Sequence, residues 1–344
     1  MEKTLSIIVP TYNMEKYLRK CLDSLIVSDE NMQLLEVLVI NDGSKDSSSQ
    51  IAHEYENKYP QTFRVIDKEN GNYGSCINKG LEVATGKYVK VLDADDYYEN
   101  NLFDLFLQEI SKCDVDLIIS GFAQVDKYGK KGKIKSFNLI PKTILPFSLF
   151  PLDDVLEMHA IAYKLQLIKK LNYHQTEGIS YTDNEWSTIP LSRVETIYYF
   201  PYTLYQYFVG RDGQTINIDS LVRNRQQFLF VVRNIISKLY NSDTTDDFKS
   251  YLSNRILFST SYIYSAILMG DRCRNQDELI EFDEYLEKSC NPVYVRLGNE
   301  NADKWLPFKY INKWRKSNRK NIPLLYTALY SILMHLITIK KRLL

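Results

Sequence analysis

Net charge is missing from this chain: across 344 residues, 43 Lys and Arg balance 43 Asp and Glu. No global basic field exists to draw in a nucleic-acid backbone, so any nucleotide it binds is a small one and nucleic acid is not an expected partner. Cysteine is sparse. Cys21, Cys76, Cys113, Cys273 and Cys290 are odd in number, scattered and without a C-x-x-C pair, which argues against a disulfide framework or a zinc site and fits a reducing cytosol. The four histidines, His53, His159, His174 and His335, show no metal-ligand spacing and no Ser or Cys nucleophile beside them, so surface or packing roles are expected. Met1-Glu2-Lys3-Thr4 leads into an apolar run too short for a signal-peptide core, with no small-residue cleavage site after it; export by that route is not expected. No Gly-rich phosphate loop follows the first apolar run, where Pro10-Thr11-Tyr12-Asn13 stands instead. That absence disfavours both a nucleotidyltransferase and a nicotinamide dehydrogenase. Tyrosine, by contrast, is abundant at 26 residues, and its ring faces suit the C–H surface of a pyranose.

The first hundred residues alternate β-rich apolar runs with helical periodicity, the pattern of βαβ units and a mainly parallel sheet. Strands are predicted at Leu5–Val9, Leu34–Ile40, Phe63–Asp67 and Tyr88–Leu92. Helices are predicted at Met14–Ile26, from a cap at Ser44 or Asp46 to about Tyr59, and at Tyr73–Ala84. In such sheets the ligand site lies beyond the carboxyl ends of the strands. Three polar segments fall there: Thr11-Tyr12-Asn13, Asn41-Asp42-Gly43 and Asp93-Ala94-Asp95. Residues 127–151, rich in Lys, Gly and Pro, read as hairpin or loop material. Beyond Asp219 helices are expected near 219–240, 245–269, 273–289 and 302–318, with Tyr251, Leu252, Ile256, Phe258 and Tyr262 as core.

Asp93 and Asp95 offer the carboxylates that a hard divalent cation prefers, Mg²⁺ or Mn²⁺, and leave coordination positions for diphosphate oxygens. Such an ion neutralises charge on a departing nucleoside diphosphate. Tyr12 is placed to present its ring to a base, and Asp42 to accept the imide N–H of uracil, which cytosine lacks. Asn41-Asp42-Gly43-Ser44 is also ordinary turn chemistry, and the two roles are compatible. Asn70-Gly71-Asn72-Tyr73-Gly74 is a loop whose amides could approach phosphate as it enters a helix.

Four strings occur in order: Ser6-Ile7-Ile8-Val9-Pro10-Thr11-Tyr12-Asn13, Val39-Ile40-Asn41-Asp42-Gly43-Ser44, Asn78-Lys79-Gly80-Leu81 with Ala84-Thr85-Gly86-Lys87-Tyr88, and Val91-Leu92-Asp93-Ala94-Asp95-Asp96. Together they resemble the family-2 glycosyltransferases of the GT-A fold, over about residues 4–215, in the manner of bacterial cell-surface polysaccharide members. The resemblance implies that Pro10, Thr11, Tyr12 and Asp42 hold uridine, with nucleotide contacts extending to Asn13, Asn72, Asn78, Asp93 and Ala94. It makes Asp95 the principal metal ligand, with Asp93 near ribose or metal. Asp183, in Glu177-Gly178-Ile179-Ser180-Tyr181-Thr182-Asp183-Asn184-Glu185-Trp186, takes the place of the catalytic base. In an inverting transfer that base deprotonates the acceptor as it attacks C1 in an oxocarbenium-like transition state. Asp183 as the N-cap of a helix through Asn184-Glu185-Trp186 is the other reading. Trp186, Arg211 and Gln214 are assigned to acceptor or diphosphate. Two departures stand out: Cys76-Ile77-Asn78 replaces an Ala-Arg-Asn string, so an Arg contact is lost or supplied elsewhere, and Thr182-Asp183 replaces a Glu-Asp pair.

The expected organisation is therefore α/β, a GT-A domain followed by helices: residues 1–125 for the nucleotide-sugar half, 126–218 for the acceptor half, 219–320 helical, and 321–344 an apolar helix with basic flanks. Ile322–Ile339 carries no formal charge, and Thr327, Ser331, His335 and Thr338 form one narrow polar stripe. A helix lying in a membrane surface through 322–342 fits that stripe and the flanking Lys and Arg. Docking on the helical appendage or on a homodimer partner is the alternative. The expected activity is transfer from a UDP-sugar to a saccharide, lipid-linked or glycoprotein acceptor at the cytoplasmic face. The competing reading is a non-catalytic subunit that binds nucleotide or acceptor for a partner enzyme.

Overall fold

The computed structural model describes residues 2–211, 218–240, 242–270, 276–300, 309–320, 322 and 325–332. The chain divides into two compact units, Met1–Gln214 and Thr215–Leu344.

The first unit is built on a sheet of ten strands. They are β1 (Leu5–Thr11), β2 (Leu35–Asn41), β3 (Phe63–Asp67), β4 (Tyr88–Val91), β5 (Tyr97–Tyr98), β6 (Leu117–Val125), β7 (Lys131–Lys135), β8 (Ile144–Pro146), β9 (Ile161–Lys164) and β10 (Thr196–Phe208). The order is β3-β2-β1-β4-β9-β6-β10-β5, with β7 on β6 and β8 on β10. β3, β2, β1 and β4 run parallel, as expected of βαβ crossovers, and β10 runs parallel to β6. β9 enters antiparallel between β4 and β6, a reversal with no local sequence signal. Every residue of β1 is buried, which is why it reads as a continuous apolar run rather than an alternation.

β1 does not end at Pro10. Pro10 pairs with Ile40 and Thr11 with Asn41, while pairing to β4 stops at Ile8 and Val91. Proline's missing N–H therefore faces the side where the ladder has already ended and costs no bond. The helices of this unit are α1 (Leu18–Asp23), α2 (Asp29–Leu34), α3 (Ser48–Lys58), α4 (Asn72–Val83), α5 (Asn100–Ile110), α6 (Leu165–Lys170) and α7 (Asp183–Trp186). α1 is shorter than its periodicity suggests, because a turn onto the Met14 carbonyl precedes it. Asp46, not Ser44, accepts the Ser48 N–H at 2.9 Å at the head of α3. Residues 127–151 supply the turn and second strand of the β6–β7 hairpin, with Gly129 at φ +78° in the turn, and also β8.

The second unit is helical: α8 (Ile218–Arg223), α9 (Arg225–Leu239), α10 (Asp246–Ser265), α11 (Asp277–Ser289), α12 (Asn291–Asn299) and α13 (Tyr310–Lys316), with a wide π turn at Ala266–Gly270. Tyr251, Leu252 and Ile256 are core, but Phe258 and Tyr262 on α10 are 63% and 39% exposed; the stripe is narrower than its apolar run. Residues 325–332 are helical. Among the described residues no helix is long and apolar enough to cross a membrane.

Candidate functional site

The parallel register carries the ends of β1, β2 and β3 level with one another. Asp42 donates its N–H to the Thr11 carbonyl at 2.8 Å and Lys68 to that of Asn41 at 3.0 Å, while Leu92 donates to Ile8 at 3.0 Å. The polar tips expected to converge therefore lie along one edge. An open cleft of ≈ 510 Å³ lies there, lined by Tyr12, Asn41, Gly43, Lys45 and residues 67–70. Tyr12 is 46% exposed, so its ring face is available. Asn13, at φ +53°, closes the turn: its N–H reaches Ser44 Oγ at 3.0 Å and its Oδ1 accepts from the Lys45 N–H at 2.8 Å. Thr11 is buried, its hydroxyl on the Val9 carbonyl at 3.1 Å.

Asp42 sits beneath the cleft rather than on its wall. Its Oδ1 accepts from Lys68 Nζ at 2.7 Å and the Gly71 N–H at 2.9 Å, and its Oδ2 from the Asn72 N–H at 2.9 Å. Two amides and an ammonium thus satisfy most of a carboxylate only 2% exposed, and they pin the loop that enters α4. Lys68 also reaches Ser75 Oγ at 2.9 Å, which places a cation in the cleft although the sequence has Ile77 where an Arg would be expected. Asn72 caps locally, its Oδ1 accepting from the Tyr73 N–H at 2.7 Å. Asn78 does not face the cleft. Its amide clasps the Gln175 backbone, donating to the carbonyl at 2.9 Å and accepting from the N–H at 2.9 Å, and donates to Glu177 at 2.7 Å. Gly74 allows this approach, since a Cβ there would lie 1.9 Å from the Thr176 carbonyl oxygen.

At the end of β4 the acids crowd. Tyr73 donates to Asp93 Oδ1 at 3.0 Å. Asp96, 1% exposed, accepts from the Tyr205 hydroxyl at 2.5 Å and the Phe208 N–H at 2.7 Å. The Asp93 N–H in turn donates to Tyr205 Oη at 3.2 Å. Register shifts in β10 between Phe200 and Tyr205 re-aim this tyrosine, as bulges beside sites commonly do. Ala94 is buried. Asp95 pairs with Arg211, Nε to Oδ2 at 2.5 Å, so the residue assigned to the metal and the residue assigned to the diphosphate neutralise each other here. Removal from water, then the neighbouring Asp95 charge, pushes the Asp93 carboxyl up to about 7; Asp96 is raised well above the usual range for the same two reasons.

Asp183 opens α7, but Thr182 holds the N-cap position, so the capping reading of Asp183 does not hold. The Asp183 charge contributes to the upward shifts of Asp93 and Tyr73; it belongs to the same electrostatic environment as the β4 end. Tyr181, at φ +68°, is strained backbone two residues before it, of a kind that gathers at functional sites. Glu185 is buried and accepts from Thr176 through both its backbone N–H and its hydroxyl, each at 2.8 Å. Trp186 is 1% exposed, packed against Tyr163 and Tyr173. It is a core residue and presents no surface to an acceptor, contrary to expectation. Gln214 lies outside the described residues.

One residue escaped the sequence reading. His159, in the turn Met158–Ala160, brings a ring nitrogen into a group with carboxylate oxygens of Asp93 and Asp96, all within 4.8 Å of one another. Its Nδ1 is buried and has no hydrogen-bond partner. Burial, then the Lys90 charge, lowers this imidazole to about 3, so it is a neutral donor. A buried imidazole beside two carboxylates is a donor set that fits a divalent cation. No spacing rule finds it, because the fold alone makes the neighbours.

The sequence pattern of glycosyl transferase family 2 matches residues 6–171. An uncharacterized glycosyltransferase of Mycoplasma genitalium, MG025, is 31% identical over 224 residues, 61% of this chain and 69% of that one. The putative glycosyltransferase EpsH of Bacillus subtilis is 38% identical over 119 residues, 35% of this chain and 33% of its own. Among solved structures, S. aureus TarS 1–349 in complex with UDP-GlcNAc superposes with a TM-score of 0.67 at 20% identity, covering 91% of this chain and 87% of that one. The mannosyltransferase PcManGT of Pyrobaculum calidifontis, in complex with GDP-Man and Mn²⁺, has a TM-score of 0.52 at 14% identity, covering 96% and 88%. These two likenesses bear on the fold, which is GT-A. By its matched pattern and its relatives, the chain belongs to glycosyl transferase family 2.

Proposed function

We propose that this glycosyltransferase moves a hexose or N-acetylhexosamine from a UDP-sugar to an acceptor hydroxyl with inversion at the anomeric carbon. The observation that carries this reading is the convergence of the polar tips after β1 and β2 on one open cleft lined by Tyr12, Asn41 and Gly43, with the chain's membership of glycosyl transferase family 2 behind it; the charge of Asp183, far away in sequence, also bears on Asp93. Tyr12 stacks on the base, and Pro10, Thr11 and Asn13 shape the turn beneath it. Asp42 holds the Gly71 and Asn72 amides in place and, in this reading, accepts the imide N–H of uracil. Asp93 and Ala94 line the ribose and diphosphate side. Asp95 would hold a divalent cation and Arg211 would meet the diphosphate, the two being paired with each other when no ligand is bound. A bound Mn²⁺ or Mg²⁺ supplies Lewis-acid stabilisation of the departing UDP. Asp183 removes the acceptor proton. The TarS complex with UDP-GlcNAc supports the choice of a uridine donor.

The acceptor in this reading is a saccharide on a growing cell-surface glycan, a lipid-linked saccharide or a glycoprotein. Contact of 322–342 with the inner face of the membrane belongs to this reading, supported by the exposure of Leu325 and Ile332, at 66% and 58%, and by the basic residues on both sides in the sequence; residues 323–324 and 333–342 lie outside the described residues. The fourfold division into 1–125, 126–218, 219–320 and 321–344 is part of the same proposal.

The test is UDP release from a panel of UDP-sugars with Mn²⁺, Mg²⁺ or EDTA, comparing wild type with Asp95→Ala. Metal-dependent release from one sugar, lost in the variant, is expected. No release from any sugar, with or without an acceptor-bearing extract, would favour the non-catalytic subunit.

A further inference from the structure

We infer that the β6–β7 hairpin is a membrane-docking element, whose lysines and exposed apolar side chains hold the carboxyl edge of the sheet against a bilayer of anionic phospholipid. The inference concerns where the enzyme works rather than its chemistry, so its failure leaves UDP-sugar transfer standing.

The charge is local. The chain as a whole is neutral, yet between residues 127 and 152 stand Lys127, Lys130, Lys131, Lys133, Lys135 and Lys142, and no Asp or Glu. Every residue from 127 to 134 is exposed. Asp126, at the head of the turn, has its Oδ1 committed to the backbone N–H groups of Tyr128 at 2.8 Å and Lys130 at 2.9 Å. Lys131 meets Glu99 at 2.9 Å, and Lys135 pairs with Asp154. Among the described residues, Lys127 and Lys133 have no carboxylate partner.

Lysine alone has a simpler explanation. β7 pairs with β6 only, and exposed edge strands are commonly guarded by lysine against pairing with other chains. A guard has no use for apolar surface, yet Tyr128 is 82% and Ile134 57% exposed among these lysines. That mixture suits a bilayer interface, where Tyr sits at the headgroup level and lysine stems lie along apolar surface with their charges at the phosphates. A soluble polyanion would reward the lysines and leave Ile134 in water. The hairpin also stands in a useful place. Val125, the last residue of β6, pairs with Phe208, and its carbonyl accepts from the Val209 N–H at 2.8 Å; the Phe208 N–H meets Asp96 at 2.7 Å. The turn therefore leaves the sheet at the carboxyl edge that carries the candidate site, joined to its acids through β10. A bilayer engaged there lies beside the site at which a lipid-linked saccharide would present its hydroxyl.

The experiment is co-sedimentation of the full chain with vesicles of phosphatidylcholine alone, or of phosphatidylcholine and phosphatidylserine in equal parts, at low and physiological salt. Binding to the anionic vesicles, weakened by salt, is expected. The triple variant Lys127→Gln, Lys130→Gln, Lys133→Gln should lower that binding about 10²-fold, since each lysine at such a surface contributes about fivefold. Tyr128→Ser should lower it at both salt concentrations. The same charge removed from the exposed lysines Lys58, Lys112 and Lys170 should leave it nearly unchanged, and UDP affinity and thermal unfolding of the hairpin variants should match wild type. Equal losses from the two triple variants would overturn the inference, because the attraction would then belong to the whole surface. So would binding that survives the hairpin variants and disappears when Lys340, Lys341 and Arg342 are changed to Gln, an outcome that leaves the contact of 322–342 standing. Lysine-dependent binding to inorganic polyphosphate but not to vesicles would overturn it as well and make the hairpin a reader of polyanions. Absence of binding to either vesicle would overturn it outright.

Discussion

Asp96 in the sheet unit and Asp283 in the helical unit are equally hidden, at 1% and 0% exposure, yet they are surrounded oppositely. Asp283 receives Arg315 at 2.6 Å, Arg319 at 2.8 Å and the Tyr264 hydroxyl at 2.7 Å. It ties α10, α11 and the end of α13 together. Asp96 has a tyrosine, an amide and the like charges of Asp95 and Asp93. A buried acid met by cations is architecture. One crowded by other acids is tolerated only where something else supplies the positive charge, and that is the difference between a structural carboxylate and a functional one.

The strongest way to break this contrast is through the acid expected to act chemically. Asp183→Asn should lower the transfer rate by about 10²–10⁴-fold, the usual span for a general base, with UDP affinity and thermal stability unchanged; steady-state assay, calorimetry and thermal unfolding together check it. Next comes Asp283→Ala, which strands two guanidinium groups. It should cost about 3–5 kcal/mol in denaturant unfolding, as expected when a buried pair loses one partner. Asp96→Asn sharpens the comparison from the other side: stability should change by less than about 1 kcal/mol or rise, as at sites strained for function, while Mn²⁺ affinity drops. If Asp96→Asn cost as much as Asp283→Ala, the distinction between the two acids would fail.

The smallest effect concerns pH. His53 bridges Asp67 at 2.8 Å and Glu56 at 2.7 Å, and hydrogen bonds to Asp67 first and Glu56 second raise it above 6.5. A raised folded value means that its contribution to stability is fully present below pH 6.5 and is lost as pH rises through that folded value. The group is 42% exposed, so after screening by solvent His53→Gln should remove less than about 1 kcal/mol, and only at the acid end. Unfolding curves at pH 5.5 and 8.5 for both proteins measure it.

Much of the sheet unit was legible from the chain alone. β3 falls where its β-rich run predicts, and β1, β2 and β4 differ by one or two residues; the latter three are buried almost throughout, and such strands announce themselves as short runs of Val, Ile and Leu. The polar tips after β1, β2 and β4 were equally readable, since each must leave the sheet at its carboxyl edge. Antiparallel β9 was not, for its four residues owe their place to neighbours in β4 and β6. Trp186 was misread for a related reason. Its position beside Asp183 suggested the acceptor, but successive residues of a helix point to different faces, and its own faces Tyr163 and Tyr173. Asn78 was likewise drawn away from the cleft by the segment 174–177, which the sequence places a hundred residues on.

The sequence by itself determined the family, the order of strand and helix in the parallel half, and the residue types able to hold a nucleotide and a cation. These are local properties, written in periodicity and in the polar residues that end each strand. Tertiary structure alone decided which of those groups are already committed: Asp42 to Lys68 and the loop amides, Asp95 to Arg211, and His159 to the company of Asp93 and Asp96. Hydrogen bonds and charge interactions act over a few ångströms of space, and chain distance carries no information about which groups the fold brings within that reach.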